Sequence, residues 1–196
     1  MADFVFGVFM RYVLASKSPR RRELIGKIIS DFEIIVKDVD ESLPDGMHPS
    51  LGVELLAVRK GEAVAREAVD AVVISSDTLV ERDGVALGKP RDSDDAYRML
   101  ASLSGRWHNV HTGVAVHYRG RVAHAVATSS VLFRTLTDRE IYDYIATGEP
   151  MDKAGAYGIQ GLGGALVERY TGDFDTIVGL SVSLTERLIR EVSEGE

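Results

Sequence analysis

The sequence contains no cysteine among its 196 residues. This absence excludes disulfide bonds, thiolate metal ligands, iron–sulfur clusters and a cysteine nucleophile. No hydrophobic run approaches the ~20 residues that a membrane-spanning helix needs. Basic residues are also outnumbered, with 23 Lys and Arg against 30 Asp and Glu, and the net charge of −7 argues against binding to a nucleic-acid polymer. The composition, 45% hydrophobic and 27% charged, is typical of a globular protein of one domain.

The N-terminal segment is apolar but makes a poor export signal. Residues 4–10 are mostly hydrophobic, but an export signal also needs a basic segment before its hydrophobic one. Here Asp3 precedes the hydrophobic residues, and no basic residue does. We expect residues 1–11 to form a leader, either a short strand or an extended segment, with Met10 as an alternative start, and residues 12–196 to form a single domain. Without an export signal, a membrane segment or cysteine, the sequence predicts a cytoplasmic protein with no membrane partner.

The pattern of apolar residues and turn signals predicts an α/β fold, an elongated mixed β-sheet with flanking helices. The predicted strands are residues 11–15, 32–36, 71–74, 110–118, 122–133 and 165–167. The predicted helices are residues 19–26, 49–68, 93–103, 137–148 and 184–192, with Ser93 as a candidate N-cap. Polar residues follow the apolar strand at 71–74, and function in α/β sheets usually lies at such carboxyl ends.

The net charge hides two neighbouring segments of opposite sign. Residues 16–27 hold five basic residues and one acidic residue, whereas residues 31–45 hold six acidic residues and one basic residue. This contrast suits a metal-bound polyphosphate, because cations hold phosphate oxygens while carboxylates hold the metal. Two solvated stretches of surface would give the same pattern.

Two segments carry residues suited to phosphate and metal chemistry. Residues 16–22, Ser-Lys-Ser-Pro-Arg-Arg-Arg, lie at a predicted strand-to-helix junction, where backbone amides and arginines can bind phosphate together. Asp77 follows the predicted buried strand, so its carboxylate would be held rigidly enough to orient a metal or a water. Surface arginines and an aspartate that caps a turn are the structural alternatives.

Two further segments carry weaker signals. Lys89, in Leu-Gly-Lys-Pro, offers a point charge to phosphate, although the spacing is not that of a P-loop and a surface lysine is the alternative. Gln160 lies in the glycine-rich residues 148–164, where an amide could donate and accept at a base edge. A tight connecting loop is the alternative there. The five histidines show no metal-ligand spacing.

Five segments in order resemble the Maf family of nucleoside triphosphate pyrophosphatases, over about residues 12–190. Their sequences are LASKSPRRREL, SSDTLVERDGVALGKP, MLASLSGRWHNVHTGVAV, EPMDKAGAYGIQG and the weaker GDFDTIVGL. The resemblance implies an inosine triphosphatase-like α/β fold of two lobes around a nucleotide cleft, a divalent cation and usually a homodimer. It also implies hydrolysis between the α and β phosphates to a nucleoside monophosphate and pyrophosphate.

The resemblance also implies roles for individual residues. Phosphate binding falls to Ser16, Arg20 and Arg21, and catalysis to Glu41, Lys60, Asp77 and Lys89. Asp77 matches the carboxylate that is regarded as the proton acceptor of the family. Glu41 and Asp77 would hold the divalent cation, Mg²⁺ or Mn²⁺ with Co²⁺ as a further candidate, because a chain without cysteine offers oxygen ligands.

Three residues imply the substrate. The subgroup of dTTP/UTP pyrophosphatases carries arginine, threonine and glutamine where this sequence has Arg21, Thr78 and Gln160, which would recognise the base. We therefore expect hydrolysis of dTTP and UTP, with modified pyrimidine nucleotides as further candidates. Two alternatives stay open: a nucleotide-binding regulator linked to cell division and septum formation, and a pyrophosphatase with a different base preference.

One residue of the predicted long helix departs from the family pattern. Gly61 follows Lys60, where the family usually has alanine. By intrinsic propensity, a glycine at this position weakens the helix by about 1 kcal/mol.

Overall fold

The computed structural model describes residues 10–194 of the chain, so residues 1–9, most of the predicted leader, lie outside the described residues. Strands and helices are mixed along the described part. The strands are β1 (Arg11–Leu14), β2 (Glu33–Ile34), β3 (Ala71–Arg82), β4 (Val85–Leu87), β5 (Trp107–Tyr118), β6 (Arg121–Phe133) and β7 (Val167–Thr171). The helices are α1 (Pro19–Ile25), α2 (Pro49–Ala65), α3 (Ser93–Leu103), α4 (Asp138–Ala146), α5 (Phe174–Val178) and α6 (Val182–Ser193). Short 3₁₀ turns lie at Glu149–Asp152, Ala154–Ala156 and Leu162–Leu166.

The strands form one mixed sheet in the order β2-β1-β3-β5-β6-β7, with β4 beside β3. β1 pairs in parallel with β2 and β3, and the other pairings are antiparallel. Helices flank this sheet, which confirms the predicted α/β architecture. No helix within residues 10–194 is long and apolar enough to cross a membrane.

An opening in the sheet lies beside the middle of β3. β1 pairs with residues 71–74 of β3 and ends there, whereas β4 pairs with residues 80–82 along the same edge. β5 covers the opposite edge through residues 73–81. Between β1 and β4, residues 75–79 therefore have no strand neighbour on this edge among the described residues, and a cleft forms there.

Two large hydrophobic cores give the molecule its two lobes on either side of this cleft. One core joins α3 and α4 to the β5–β6 pair and includes Leu100 and Phe133, both fully buried. The other joins α1 and α6 to β1, β3 and β5, and includes Leu14 and Leu188. A smaller core beneath α2 contains Val73 of β3. Side chains from both lobes can therefore meet across the opening.

Two glycines allow α2 to lie directly on the sheet. A Cβ atom at Gly113 of β5 would lie 2.3 Å from the Val53 carbonyl oxygen of α2. A Cβ atom at Gly61 of α2 would lie 2.5 Å from the His117 ring and from Ser75 Oγ. Close packing leaves no room for a methyl group at such distances. The glycine that lowers helix propensity is therefore required by packing.

Three sequence-based predictions of element boundaries are wrong. The strand predicted at residues 71–74 continues to Arg82, because β5 pairs with its polar residues as well as with its apolar ones. The N-cap of α3 is Asp92, whose side chain accepts the Asp95 amide at 2.7 Å, rather than Ser93. The last strand begins at Val167, and α5 has no counterpart among the predicted helices.

Candidate functional site

The cleft contains two adjoining cavities. The first has a volume of about 460 Å³ and borders Asp77 and Thr78 of β3. The second has a volume of about 720 Å³ and borders the β1–α1 junction. Arg20, Glu41 and Lys60 line both. The two cavities therefore form one continuous cleft, and the volume of each lies within the size range of small-molecule sites.

A lysine joins two carboxylates where the cavities meet. Lys60 Nζ of α2 lies 2.5 Å from Asp77 Oδ1 of β3 and 2.7 Å from Glu41 Oε1. The Lys60 and Asp77 side chains are 18% and 12% exposed, whereas the Glu41 side chain is 63% exposed. The hydrogen bond from Lys60 lowers the pKa of Glu41 below its ordinary value. Each ion pair uses one carboxylate oxygen, so the second oxygen of each carboxylate stays available as a ligand.

The β1–α1 junction forms one wall of the cleft. Ser18 is the N-cap of α1, and its amide donates to the buried Ser16 Oγ at 3.2 Å. The Arg20 side chain lines both cavities and makes no hydrogen bond or ion pair with another described residue, and its attraction to the Asp152 carboxylate acts over a longer distance. Its guanidinium group is therefore available to an anionic ligand, and it can bind phosphate oxygens in a bidentate manner.

Arg21, in contrast to its neighbour in sequence, is held by several groups of the fold. Its Nε donates to the Gly179 carbonyl at 2.9 Å and its Nη2 donates to Thr78 Oγ1 at 3.2 Å. The same carbonyl accepts a hydrogen bond from Ser76 Oγ at 2.9 Å. Burial lowers the pKa of Arg21, and the nearby Asp77 carboxylate opposes that shift. The turn between α5 and α6 thereby fixes Arg21 and Thr78 against each other.

The walls of the two cavities differ in character. The second cavity, which we call the cationic end, is bordered by six basic side chains: Lys17, Arg20, Arg21, Lys37, Lys60 and Lys89. The first, which we call the apolar end, shares four of these basic side chains, Arg20, Arg21, Lys60 and Lys89, but is also lined by nine hydrophobic side chains that the second cavity lacks: Leu43, Leu56, Leu79, Val80, Val110, Tyr157, Ile159, Ile177 and Val178. The cleft can therefore hold a ligand with a highly anionic part and a flat or apolar part.

Lys89 and Gln160, the residues with the weaker sequence signals, lie in different positions relative to the cleft. Lys89 is exposed and lines both cavities, and the preceding Gly88 carbonyl accepts the Gly155 amide at 3.0 Å. Gln160 is exposed and lines neither cavity, although its neighbours Gly158 and Ile159 line the apolar end. The glutamine thus lies beside the cleft rather than on its wall.

The donor atoms at the junction fit a divalent cation that is completed by phosphate. Within residues 10–194, no three His, Asp or Glu side chains lie close enough together to hold a metal ion by themselves. Glu41 and Asp77 both contact Lys60 Nζ, and both offer hard oxygen ligands. Ions such as Mg²⁺ usually bind through one or two carboxylates plus substrate phosphates, so two carboxylates suffice.

Sequence reasoning misses two residues that shape the apolar end. Tyr157 lines the cavity, and its buried hydroxyl bonds to His108 Nε2 at 2.8 Å. Gly179 supplies the carbonyl that holds Arg21. Both residues lie inside segments that resemble the family, but neither carries a side chain whose chemistry marks it as functional. The one local signal is that Tyr157 lies within the glycine-rich residues 148–164.

Comparison with known proteins identifies the family. A family model described as Maf-like protein matches residues 11–192. This chain belongs to the Maf family. A dTTP/UTP pyrophosphatase of Vibrio cholerae is 47% identical over 182 residues, which cover 92% of this chain and 97% of that protein. A dTTP/UTP pyrophosphatase of Moorella thermoacetica is 49% identical over 181 residues, which cover 91% of this chain and 93% of that protein.

Among solved structures, the alignment with the Ham1 protein of Staphylococcus aureus covers 63% of this Maf-family chain and 71% of the Ham1 chain. The TM-score of this alignment is 0.46 and the sequence identity is 19%. The family assignment made from the five sequence segments is confirmed. Eight of the nine residues to which the resemblance assigns a role border one cleft of this Maf protein: Ser16, Arg20, Arg21, Glu41, Lys60, Asp77, Thr78 and Lys89.

Proposed function

We propose that this chain hydrolyses dTTP and UTP to the nucleoside monophosphate and pyrophosphate. The observation that carries the proposal is the polarity of the cleft. A cationic end that suits a triphosphate adjoins an apolar end that suits a pyrimidine, with two carboxylates between them. Relatives that are 47% and 49% identical bear the name dTTP/UTP pyrophosphatase, which supports the same substrates here.

The same polarity orients the substrate. The base and sugar would lie in the apolar end, and the β and γ phosphates would lie among the basic side chains of the cationic end. The α-phosphate would then lie at the junction, beside Lys60 and Asp77. Arg20 would bind phosphate oxygens, because no side chain within residues 10–194 forms a hydrogen bond or ion pair with its guanidinium, which lines the cavity. Ser16 would support this contact from the β1–α1 junction.

Glu41 and Asp77 would hold one divalent cation, for which Mg²⁺, Mn²⁺ and Co²⁺ are the candidates. When bound, such an ion polarises phosphate oxygens and offsets the charge that develops on a leaving pyrophosphate. Lys60 adds a positive charge at the same place, since its Nζ contacts both carboxylates.

Asp77 would act as the proton acceptor. A water attacks the α-phosphorus in line with the oxygen that bridges to the β-phosphate. A bond forms between the water oxygen and the α-phosphorus, the bond to the bridging oxygen breaks, and pyrophosphate leaves with that oxygen. Asp77 accepts the proton that the water loses, while Lys60 orients its carboxylate from 2.5 Å. Arg20 and Lys89 would stabilise the charge on the leaving group.

Arg21, Thr78 and Gln160 would recognise the base. Arg21 and Thr78 are hydrogen-bonded to each other at 3.2 Å, so they would present a fixed polar surface at the apolar end. Gln160 would reach the base from the segment that contributes Gly158 and Ile159 to the cavity wall. Its amide can pair with the carbonyl and N–H groups on one edge of thymine or uracil.

The family resemblance also supports a homodimer that acts in the cytoplasm on free nucleotides. The net charge of −7 supports small nucleotides rather than nucleic-acid polymers as substrates. Light scattering of the purified chain tests the assembly, and a monomer at concentrations that give full activity would contradict the dimer.

The decisive experiment incubates the purified chain with dTTP in the presence of Mg²⁺, Mn²⁺ or Co²⁺ and measures the products. We expect the monophosphate and pyrophosphate in equal amounts. Release of orthophosphate, or tight dTTP binding without turnover in all three metals, would contradict the proposal. A parallel series with UTP, CTP, 7-methyl-GTP and ITP tests the base preference.

A further inference from the structure

The glycine-rich residues 158–163, which we call the base loop, surround a carboxylate that the proposed function does not use. This carboxylate belongs to Glu149. Its Oε1 accepts hydrogen bonds from the Tyr144 hydroxyl at 2.8 Å and from the Gly163 amide at 3.0 Å. Its Oε2 accepts the Leu162 amide at 2.9 Å. One side chain thus satisfies two successive backbone amides at the end of the base loop.

The base loop closes around Glu149 at contact distance. A Cβ atom at Gly161 would lie 2.5 Å from Glu149 Oε2, and one at Gly163 would lie 2.5 Å from the Tyr144 hydroxyl oxygen. That hydroxyl is buried and also accepts the Gly158 amide at 3.2 Å. Burial raises the pKa of Glu149, but hydrogen bonds from the two amides and from Tyr144 outweigh it and leave the pKa below its ordinary value. The carboxylate is therefore ionised at neutral pH, which strengthens its hold on the loop.

Glu149 also belongs to a second segment of the cleft wall. Its carbonyl accepts a hydrogen bond from Lys153 Nζ at 2.7 Å, and the same ammonium donates to Asp152 Oδ1 at 2.7 Å. Asp152 and Lys153 line the cleft, as do Gly158 and Ile159 of the base loop. Glu149 itself lines neither cavity. It therefore connects two parts of the wall without facing the ligand.

We propose that Glu149 is a positioning residue for base recognition. Its carboxylate, together with the Tyr144 hydroxyl, fixes the backbone of the base loop. The fixed loop places Ile159 against the plane of the base and brings Gln160 to its edge. This inference rests on the proposed function, because it requires a pyrimidine in the apolar end.

The first test replaces the carboxylate with an isosteric amide. Glu149→Gln sets an NH₂ group against a backbone N–H, so the loop loses one of its hydrogen bonds. We expect the KM for dTTP to rise about tenfold and the preference for dTTP over CTP, measured as the ratio of kcat/KM, to fall about tenfold, with kcat changed less than about twofold. Tyr144→Phe should have a smaller effect of the same kind. Matched controls are Glu168→Gln on β7 and Tyr142→Phe on α4, which change exposed side chains and should leave the ratio unaltered.

The second test asks whether Glu149 acts through Gln160. Gln160→Ala should lower the preference for dTTP by itself, and Glu149→Gln should cause no further fall in that background. A further fall would overturn the inference, and so would a Glu149→Gln variant with unchanged preference. A variant with lower kcat and unchanged preference would likewise overturn it. If Glu149→Gln does not fold, Tyr144→Phe combined with Gln160→Ala gives the same comparison.

Failure of this inference is distinguishable from failure of the proposed function. A wild-type chain that releases no pyrophosphate from dTTP contradicts the proposed function. A wild-type chain that releases pyrophosphate from dTTP and CTP equally well contradicts base recognition by the loop, and overturns the role of Glu149.

Discussion

The two ends of the cleft differ in what satisfies their polar groups. At the cationic end, basic side chains border a cavity, and the Arg20 guanidinium has no hydrogen bond or ion pair among residues 10–194. Arg21, which borders both cavities, is already paired with Gly179, and Tyr157 at the apolar end is paired with His108. A ligand must therefore complete the cationic end, whereas the fold completes the apolar end. Substitutions at the cationic end should impair catalysis at little cost in stability, and substitutions at the apolar end should affect stability and selectivity.

The largest expected effect comes from Asp77→Asn at the junction. Loss of a proton acceptor should lower kcat by about a thousandfold, because general base catalysis contributes that order of rate enhancement. The amide keeps the shape of the side chain and an acceptor for Lys60, so the free energy of unfolding should change by no more than about 1 kcal/mol. Pyrophosphate release and chemical denaturation measure the two quantities.

A matched control for Asp77→Asn is Asp83→Asn, whose side chain is 76% exposed at the β3–β4 turn. This variant should retain full activity. If Asp77→Asn instead gave no folded protein, the carboxylate would be structural. The contrast between a cationic end that a ligand completes and an apolar end that the fold completes would then not hold at the junction.

The apolar end should weaken first in acid, because His108 is buried there in its neutral form. Burial lowers the pKa of His108 from 6.5 to about 4. As the pH falls below 6.5 the unfolded chain takes up a proton before the folded chain does. Stability from this residue is therefore complete above pH 6.5 and is lost progressively towards pH 4, by about 3 kcal/mol in total.

His108→Gln tests this pH dependence. Glutamine cannot titrate in this range, yet it still offers the Tyr157 hydroxyl a hydrogen-bond partner. The free energy of unfolding of His108→Gln should therefore decrease less between pH 6.5 and pH 4 than that of the wild type. His124→Gln, which changes an exposed histidine paired with Glu54, should keep the wild-type dependence. Equal slopes in both variants would show that His108 is not the group that titrates.

The adjacent arginines give the sharpest test of the comparison. Arg20→Ala should lower kcat/KM for dTTP by about fiftyfold, because a charge-assisted phosphate contact is lost, without a change in the melting temperature. Arg21→Ala should lower the melting temperature, because its hydrogen bonds to Gly179 and Thr78 join α1 to the α5–α6 turn and to β3. Activity assays and thermal unfolding of both variants distinguish them. If Arg20→Ala and Arg21→Ala changed kcat/KM and the melting temperature to the same extent, the distinction between the two ends would be wrong.

The sequence predicts the cationic end well because its residues occur in short motifs of distinctive charge. It places Asp77 less well, at the end of a strand, whereas the residue lies in the middle of β3. The polar residues before it are tolerated in the sheet because Ser75 donates to the Ala57 carbonyl at 2.7 Å and Ser76 to the Gly179 carbonyl at 2.9 Å. Both partners are distant in sequence, so local composition cannot reveal them.

The apolar end is harder to predict for the same reason. The glycines of residues 148–164 indicate a functional loop, but the loop conformation depends on Glu149 and Tyr144, whose hydrogen bonds no local pattern predicts. Gln160 illustrates the consequence, since the motif predicts a base contact while the side chain is exposed beside the cavity. Motifs select candidate residues, and tertiary hydrogen bonds decide where those residues lie.

The smallest expected effect comes from Gly61→Ala. This variant tests whether the side chains of the cationic end keep their positions when the packing of α2 on the sheet is changed. Helix propensity alone would stabilise the variant by about 1 kcal/mol. The new Cβ would instead lie 2.5 Å from the His117 ring and from Ser75 Oγ, and such overpacking costs about 1–3 kcal/mol. We expect a net loss of about 1 kcal/mol in chemical denaturation, from the difference of these terms. Lys60 immediately precedes Gly61, so a shift of α2 would also displace Lys60 from Glu41 and Asp77. We therefore expect kcat to fall as well.

Two further variants decide the cause of that loss. His117→Ala added to Gly61→Ala removes the ring that the new methyl group meets but leaves Ser75 Oγ, and should restore kcat in part. Gly88→Ala is a control for the measurement of stability alone, because no heavy atom lies within 4 Å of a Cβ at that position, although Gly88 borders the cleft. If Gly61→Ala lost stability but kept its full kcat, the position of Lys60 would be set by its contacts with Glu41 and Asp77 rather than by how α2 lies on the sheet. If Gly61→Ala were more stable than the wild type, close packing of α2 would not constrain the cationic end at all.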